Sequence, residues 1–142
     1  MTDAAELAIE LERLIAALVR EGGRVGWIEK HQLSPRERVA LSALVDGGPQ
    51  RLGALAEAME TTDATATRTV QALERVALVS RSPDPTDARG VVIEATREGR
   101  DVIERGRRYA AKLFERLIEG VPQEDRRRLI ALLREVTGAL AR

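Results

Sequence analysis

Few side chains in this sequence could do covalent or metal chemistry. Cysteine is absent, which removes disulfides, thiolate catalysis, Cys-ligated zinc and thiol redox sensing together. The single histidine, His31, would need several carboxylates around it to hold a metal. Asp84 and Asp87 form a carboxylate pair, but they sit in a turn segment beside arginines. No nucleophile–base pair and no phosphate-binding glycine loop accompanies them. No enzyme, no cofactor and no metal site is therefore expected. What remains is recognition by hydrogen bonding. Thr62, Thr65, Thr67, Arg68 and Gln71 fall together in "TTDATATRTVQALERV", and Arg81, Asp87 and Arg89 follow in "RSPDPTDARGVV". Arginine makes bidentate bonds to guanine or phosphate, glutamine reads adenine, and threonine methyls touch thymine methyls. The plainer reading of the first group is a solvated, threonine-capped helix. That of Asp87 and Arg89 is a surface ion pair.

Such groups act only if rigid elements hold them. Residues 4–20 place Leu7, Leu11, Leu14, Ile15 and Leu18 at helical spacing. Gly22, Gly23 and Gly26 then weaken the helix. "LSPRERVALSALVD" opens a second helix with Ser34 as N-cap, Pro35 in the first turn and Glu37 completing a capping box. A short helix in "RLGALAEAME" turns Leu52, Leu55, Ala56 and Met59 inward. The next helix, capped by Thr61 or Thr62, has Val70, Leu73 and Val76 as its apolar face. Its opposite face would carry the threonines, Arg68 and Gln71. Asp63 suits the positive end of that helix. Leu78–Ser82 and Gly90–Ala95 read as a hairpin joined by proline and aspartate turn residues. A long helix follows from Thr96, and a last one runs from Gln123 with Leu129, Leu132, Leu133, Val136 and Leu140 at helical spacing.

The fold class expected is mainly α with a small β-hairpin: a winged helix-turn-helix flanked by helices at both ends. Residues 1–33 would form an N-terminal helical part, 34–100 the winged helix-turn-helix, and 101–142 the C-terminal helices. The 142 residues suit one compact chain. Charge is balanced, with 23 basic and 23 acidic residues, so its distribution decides whether nucleic acid is a partner. Within residues 61–89, Arg68, Arg75, Arg81 and Arg89 are matched by Asp63, Glu74, Asp84 and Asp87. No apolar run approaches the roughly 20 residues of a membrane span. The acidic, amphipathic N-terminus is unlike a signal peptide, so a cytoplasmic protein is expected.

From Leu55 to Glu104 the chain resembles the MarR-type transcriptional regulators. Leu55-Ala56 and Met59 match the first helix of that pattern, and Thr65, Thr67, Arg68 and Leu73-Glu74 match its recognition helix. Leu78-Val79 and Arg81 match the first strand, Asp84-Pro85, Asp87 and Arg89 the wing, and Thr96, Gly99 and Arg100 the exit into a long helix. The chain departs from the pattern at Ala77, where the family usually carries glycine, at Ala88, where arginine is frequent, and at Ala95, where leucine is usual.

The resemblance implies a homodimer held by the terminal helices, presenting two recognition helices to double-stranded DNA at a pseudo-palindromic operator. It implies that Asp87 holds Arg89 extended for the minor groove, where narrow A·T-rich stretches attract arginine. Arg81, at the strand base, is expected to contact phosphate. The resemblance further implies a ligand-responsive repressor with a small-molecule effector site, for which Trp27, His31 and Tyr109 are the candidate lining. Each of those three also has a plain packing role available. The alternative function is a winged-helix protein-interaction module that has lost DNA binding.

Overall fold

In the computed structural model the structure describes residues 2–22 and 31–140. They form α1 (Asp3–Gly22), α2 (Pro35–Gly47), α3 (Leu52–Ala58), α4 (Asp63–Arg75), β1 (Val79–Asp84), β2 (Asp87–Ala95), α5 (Arg97–Leu117) and α6 (Gln123–Leu140). Packing divides the chain into two units, one up to Arg107 and one from Arg108.

Local signals in the sequence place the helix starts of the first unit. Ser34 Oγ accepts from the Glu37 N–H at 3.2 Å, and the Ser34 N–H donates to Glu37 Oε2 at 3.3 Å. That reciprocal capping box satisfies two amides that the start of α2 would otherwise leave open. Thr62, not Thr61, caps α4 by accepting from the Thr65 N–H at 3.2 Å. Thr96 caps α5 by accepting from the Gly99 N–H at 3.1 Å.

The helix ends are less conventional. After α4 the Leu78 N–H donates to the Leu73 carbonyl and the Ala77 N–H to the Glu74 carbonyl, both at 3.0 Å. This is a Schellman motif, which requires its C′ residue to be left-handed, and Ala77 accordingly has φ 57°. The end of α3 repeats the arrangement with Glu60 at φ 51°. There the Thr61 N–H donates to the Ala56 carbonyl and the Glu60 N–H to the Glu57 carbonyl.

The core of this unit joins Leu41 and Leu44 of α2, Leu55 of α3, Val70 and Leu73 of α4, Leu78, Ile93 of β2, and Val102 and Ile103 of α5. Val76 does not belong to it. As the C-cap of α4 it has already left the helical face and is 42% exposed. Thr69 takes the core place instead, its hydroxyl donating to the Thr65 carbonyl at 2.9 Å. A knot ties α4, the hairpin and α5 together. Thr96 Oγ1 donates to the Ala77 carbonyl at 2.7 Å, and the Thr96 N–H to the Leu78 carbonyl at 3.0 Å. Gly99 lies so close that a Cβ there would stand 2.1 Å from the Leu78 carbonyl oxygen. Arg107 of α5 adds a bidentate pair to Asp46 of α2, both bonds 2.8 Å, and holds the Asp46 carboxyl below its usual range.

The strands are longer than the sequence suggests. Antiparallel pairing runs from Val79 opposite Ala95 to Pro83 opposite Val91, and closes with Asp84 opposite Asp87. Pro83 costs little on a two-stranded ribbon, since its missing N–H need not face a partner strand. On the outer edge of β2, Gln50 exchanges backbone bonds with Ile93 at 2.9 and 2.7 Å.

The outward faces of the terminal helices are apolar. Leu7, Leu11, Leu14, Ile15 and Val19 of α1 are exposed. In the second unit, Leu129, Ile130, Leu132, Leu133 and Val136 of α6 are each about half exposed. No helix among the described residues is long and apolar enough to cross a membrane.

Candidate nucleic-acid interface

On α4 the buried positions are Ala66, Thr69, Val70 and Leu73. Their spacing leaves Thr62, Asp63, Arg68, Gln71 and Arg75 exposed, with Thr65 and Thr67 at the margin. The threonine hydroxyls are partly committed. Thr67 Oγ1 donates to the Asp63 carbonyl at 2.7 Å, and Thr62 Oγ1 donates to Thr65 Oγ1 at 3.1 Å. Arg68 and Gln71 are not: among the described residues neither makes a side-chain hydrogen bond or ion pair. With Arg75 in the last turn, they are the donors of this helix that remain open to a ligand.

The wing is held by a residue the sequence reading passed over. Arg51, the N-cap of α3, reaches across to Asp84, Nε to Oδ2 at 2.7 Å, and to Asp87, Nη2 to Oδ2 at 3.2 Å. Its guanidinium lies against Gly90, where a Cβ would meet Nη2 at 2.3 Å. Asp84 also closes the turn itself, accepting from the Thr86 N–H at 2.9 Å and the Thr86 hydroxyl at 2.8 Å. The Thr86 N–H first, then Arg51 and the Thr86 hydroxyl, hold the Asp84 carboxyl at about 2. The Arg89 N–H, followed by Arg51, lowers Asp87 in the same direction.

These bonds revise the roles expected of Asp87 and Arg81. Asp87 Oδ1 accepts from the Arg89 backbone N–H at 3.0 Å, not from the guanidinium. It shapes the chain around Arg89 and leaves that side chain without a bond among the described residues. The register explains the exposure of Arg89. Pro83 faces Val91 but the next residue, Asp84, faces Asp87, so Ala88, Arg89 and Gly90 bulge out of the ladder. A bulge re-aims a side chain that a regular strand would hold over one face. Arg81 is paired with Glu74 of α4, Nε to Oε1 at 2.6 Å.

The balanced charge of residues 61–89 is therefore not what this face presents. Asp84 and Asp87 share the single positive charge of Arg51, which leaves one negative charge in that cluster, and Glu74 is neutralised by Arg81. Arg68, Arg75 and Arg89 then stand against Asp63 and that residual charge, a small net positive balance. Paired charges separated by a hydrogen-bond length largely cancel at a distance, so the remaining potential is positive.

The candidate effector residues fall in different parts of the chain. Trp27 lies outside the described residues. The His31 side chain is 11% exposed, with Nε2 buried and unbonded although Glu98 Oε1 stands 3.4 Å away. Tyr109 is half-buried in the second unit.

Comparison with known proteins gives a consistent picture. The family model described as MarR family matches residues 33–91, which run from just before α2 through the wing. The chain is 31% identical over 105 residues to the HTH-type transcriptional repressor NicR of Pseudomonas putida. That match covers 74% of this chain and 66% of NicR. It is 30% identical over 107 residues to the uncharacterized HTH-type transcriptional regulator YsmB of Bacillus subtilis, covering 72% of this chain and 73% of YsmB. The solved structure of a MarR family protein from Bacillus stearothermophilus superposes with a TM-score of 0.75 at 25% identity, over 100% of this chain and 99% of that one.

Proposed function

The chain belongs to the MarR family of winged-helix transcriptional regulators, and from that premise we propose that it is a dimeric, sequence-specific DNA-binding repressor. The observation that carries the reading is the pattern of bonded and unbonded donors. Arg68 and Gln71 on α4 and Arg89 on the wing are exposed and unbonded, while the nearby carboxylates of Asp84, Asp87 and Glu74 are each taken by another arginine. A helix with free donors fits a major groove, and an adjacent bulged arginine fits the minor groove beside it. Thr62, Thr65 and Thr67 line the same face, and their methyl groups serve for apolar contact to thymine. Asp87 acts through the backbone of Arg89. The name of NicR supports repression.

The half-exposed apolar faces of α1 and α6 support dimerisation, since stripes of that size seek cover. A two-fold dimer places two recognition helices at half-sites about one helical turn apart. The unbonded, buried Nε2 of His31 supports a response to a small polar effector, and the cytoplasm is the compartment in which such a regulator meets its operator.

The test is selection of bound duplexes from a random library, followed by mobility shift on the DNA flanking the gene. Recovery of an inverted repeat that shifts at low salt fits the proposal. No shift on any fragment would favour a winged-helix module that docks another protein.

A further inference from the structure

Between the start of α2 and the side of α4 lies an open cleft of about 240 Å³, lined by Ser34, Arg36, Glu37, Thr65, Arg68 and Thr69. The small polar groups in it are already used. Ser34 and Glu37 are occupied by the capping box, and Thr69 by the Thr65 carbonyl. The two guanidiniums are not: among the described residues neither Arg36 nor Arg68 makes a hydrogen bond or ion pair. Two unpaired cations from different elements thus share one concave surface, with only the Glu37 carboxylate against them. That carboxylate is directed to the Ser34 N–H.

We propose that this cleft takes a backbone phosphate of the DNA, gripped by Arg36 and Arg68. This rests on the DNA-binding reading above and deepens it in two ways. It adds Arg36 to the interface, and it assigns Arg68 to the backbone, leaving Gln71, of the unbonded pair Arg68 and Gln71, to read a base. Guanidinium is suited to the task because its planar fork matches two phosphate oxygens at once. On its α4 side the cleft is lined by Thr65 and Arg68, which belong to the face proposed to meet the duplex. Arg36 also stands in the first turn of α2, where a cation gains nothing from the helix dipole. Its position is explained by a ligand better than by the stability of the helix.

Phosphate contacts and base contacts leave different marks in a salt titration. With DNA recovered by selection, binding of the wild-type chain is measured by fluorescence anisotropy from low to physiological salt, against both the selected and a scrambled duplex. Arg36→Ala should reduce the slope of log K against log salt by about 0.9 per protomer engaged, which at 0.15 M salt is about a 5-fold loss of affinity. The loss should be equal on both duplexes, and Arg68→Ala should behave alike. Arg36→Lys should restore most of the slope. An unchanged slope in R36A overturns the proposal, as does a loss confined to the selected duplex, which would mark a base contact. Inorganic phosphate, added at constant ionic strength, should not displace DNA from the wild type more than chloride does. Displacement that disappears in R36A would make this a free-anion site and overturn the assignment to DNA. Absence of wild-type binding to any duplex would instead refute the DNA-binding reading itself. An unchanged urea midpoint in R36A accompanies the expected result, since Arg36 is exposed and bonded to nothing.

Discussion

Replacing Ala77 by glycine should stabilise the protein, although it removes a methyl group and adds the most flexible residue. Ala77 is the C′ residue of the Schellman motif that ends α4, with φ 57°. An L-residue with a Cβ is disfavoured in that region by roughly 1–2 kcal/mol, because the Cβ crowds its own carbonyl. Glycine has no such cost, but its greater freedom in the unfolded chain returns roughly 0.5–1 kcal/mol. The side chain is exposed, so no buried contact is lost. The balance is a gain of about 0.5–1 kcal/mol. With an m-value of about 2 kcal/mol/M, the urea midpoint should rise by about 0.25–0.5 M at unchanged m. The amide bonds of Ala77 and Leu78 do not depend on the side chain and should survive, so hydrogen exchange at Leu78 should slow. An unchanged or lowered midpoint with those bonds intact would refute the strain argument. Glu60→Gly, in the equivalent motif after α3, should give a gain of similar size, and the two should add because the caps share no partner.

Gly99→Ala should act in the opposite sense. Its Cβ would fall 2.1 Å from the Leu78 carbonyl oxygen, which is backbone, so α5 must retreat and loosen the Thr96 bonds. A loss of about 2–3 kcal/mol in chemical denaturation is expected, and a neutral result would mean the knot is not tight. The Asp84 carboxyl should titrate at about 2 by NMR. Since its folded value lies below the usual 3.8, its contribution to stability is complete above about pH 4 and fades as pH falls toward 2. Arg51→Gln should move that midpoint only part of the way back, because the Thr86 N–H is the larger cause. A wild-type midpoint near 3.8 would contradict the turn described above. Arg89→Ala should weaken DNA binding by roughly 1–3 kcal/mol with no change in thermal stability, and equal affinity would remove the wing from the interface. Deleting residues 1–20 should give monomers or aggregates in sedimentation, and a stable dimer would rule out α1 as part of the dimer contact.

Most of the frame was legible because its signals are local. Ser34 and Glu37 are three residues apart and lock into the box that their types announce. Thr62 and Thr96 cap the helices they precede, and the proline- and aspartate-rich turn makes the hairpin. The misses are long-range or occur where one element hands over to the next. Arg51 looked like an unremarked helix start, because its partners lie 33 and 36 residues ahead. Gly90 looked like a strand residue, and its spacing does not show that the Arg51 guanidinium lies where a Cβ would stand. Val76 fitted the helical period of α4 but falls where the helix has just ended, so periodicity alone misplaced it. Arg81 and Arg89 have the same residue type and similar settings in the sequence. Only the position of Glu74 separates a bonded arginine from a free one.

That separation bears on how such a regulator can change its target. The residues that hold the wing and α4 in place — Arg51 with Asp84, and Thr96 with Ala77 and Gly99 — engage their own partners, whereas the side chains of Gln71 and Arg89 engage nothing else in the described chain. On the proposed reading, stability and sequence preference therefore reside in different residues. A gene copy can accumulate substitutions at the outward positions without approaching the threshold of unfolding, and each substitution samples a new operator on an unaltered mount. Duplicated copies of such a chain could diverge in the sites they govern while remaining, in fold, the same protein.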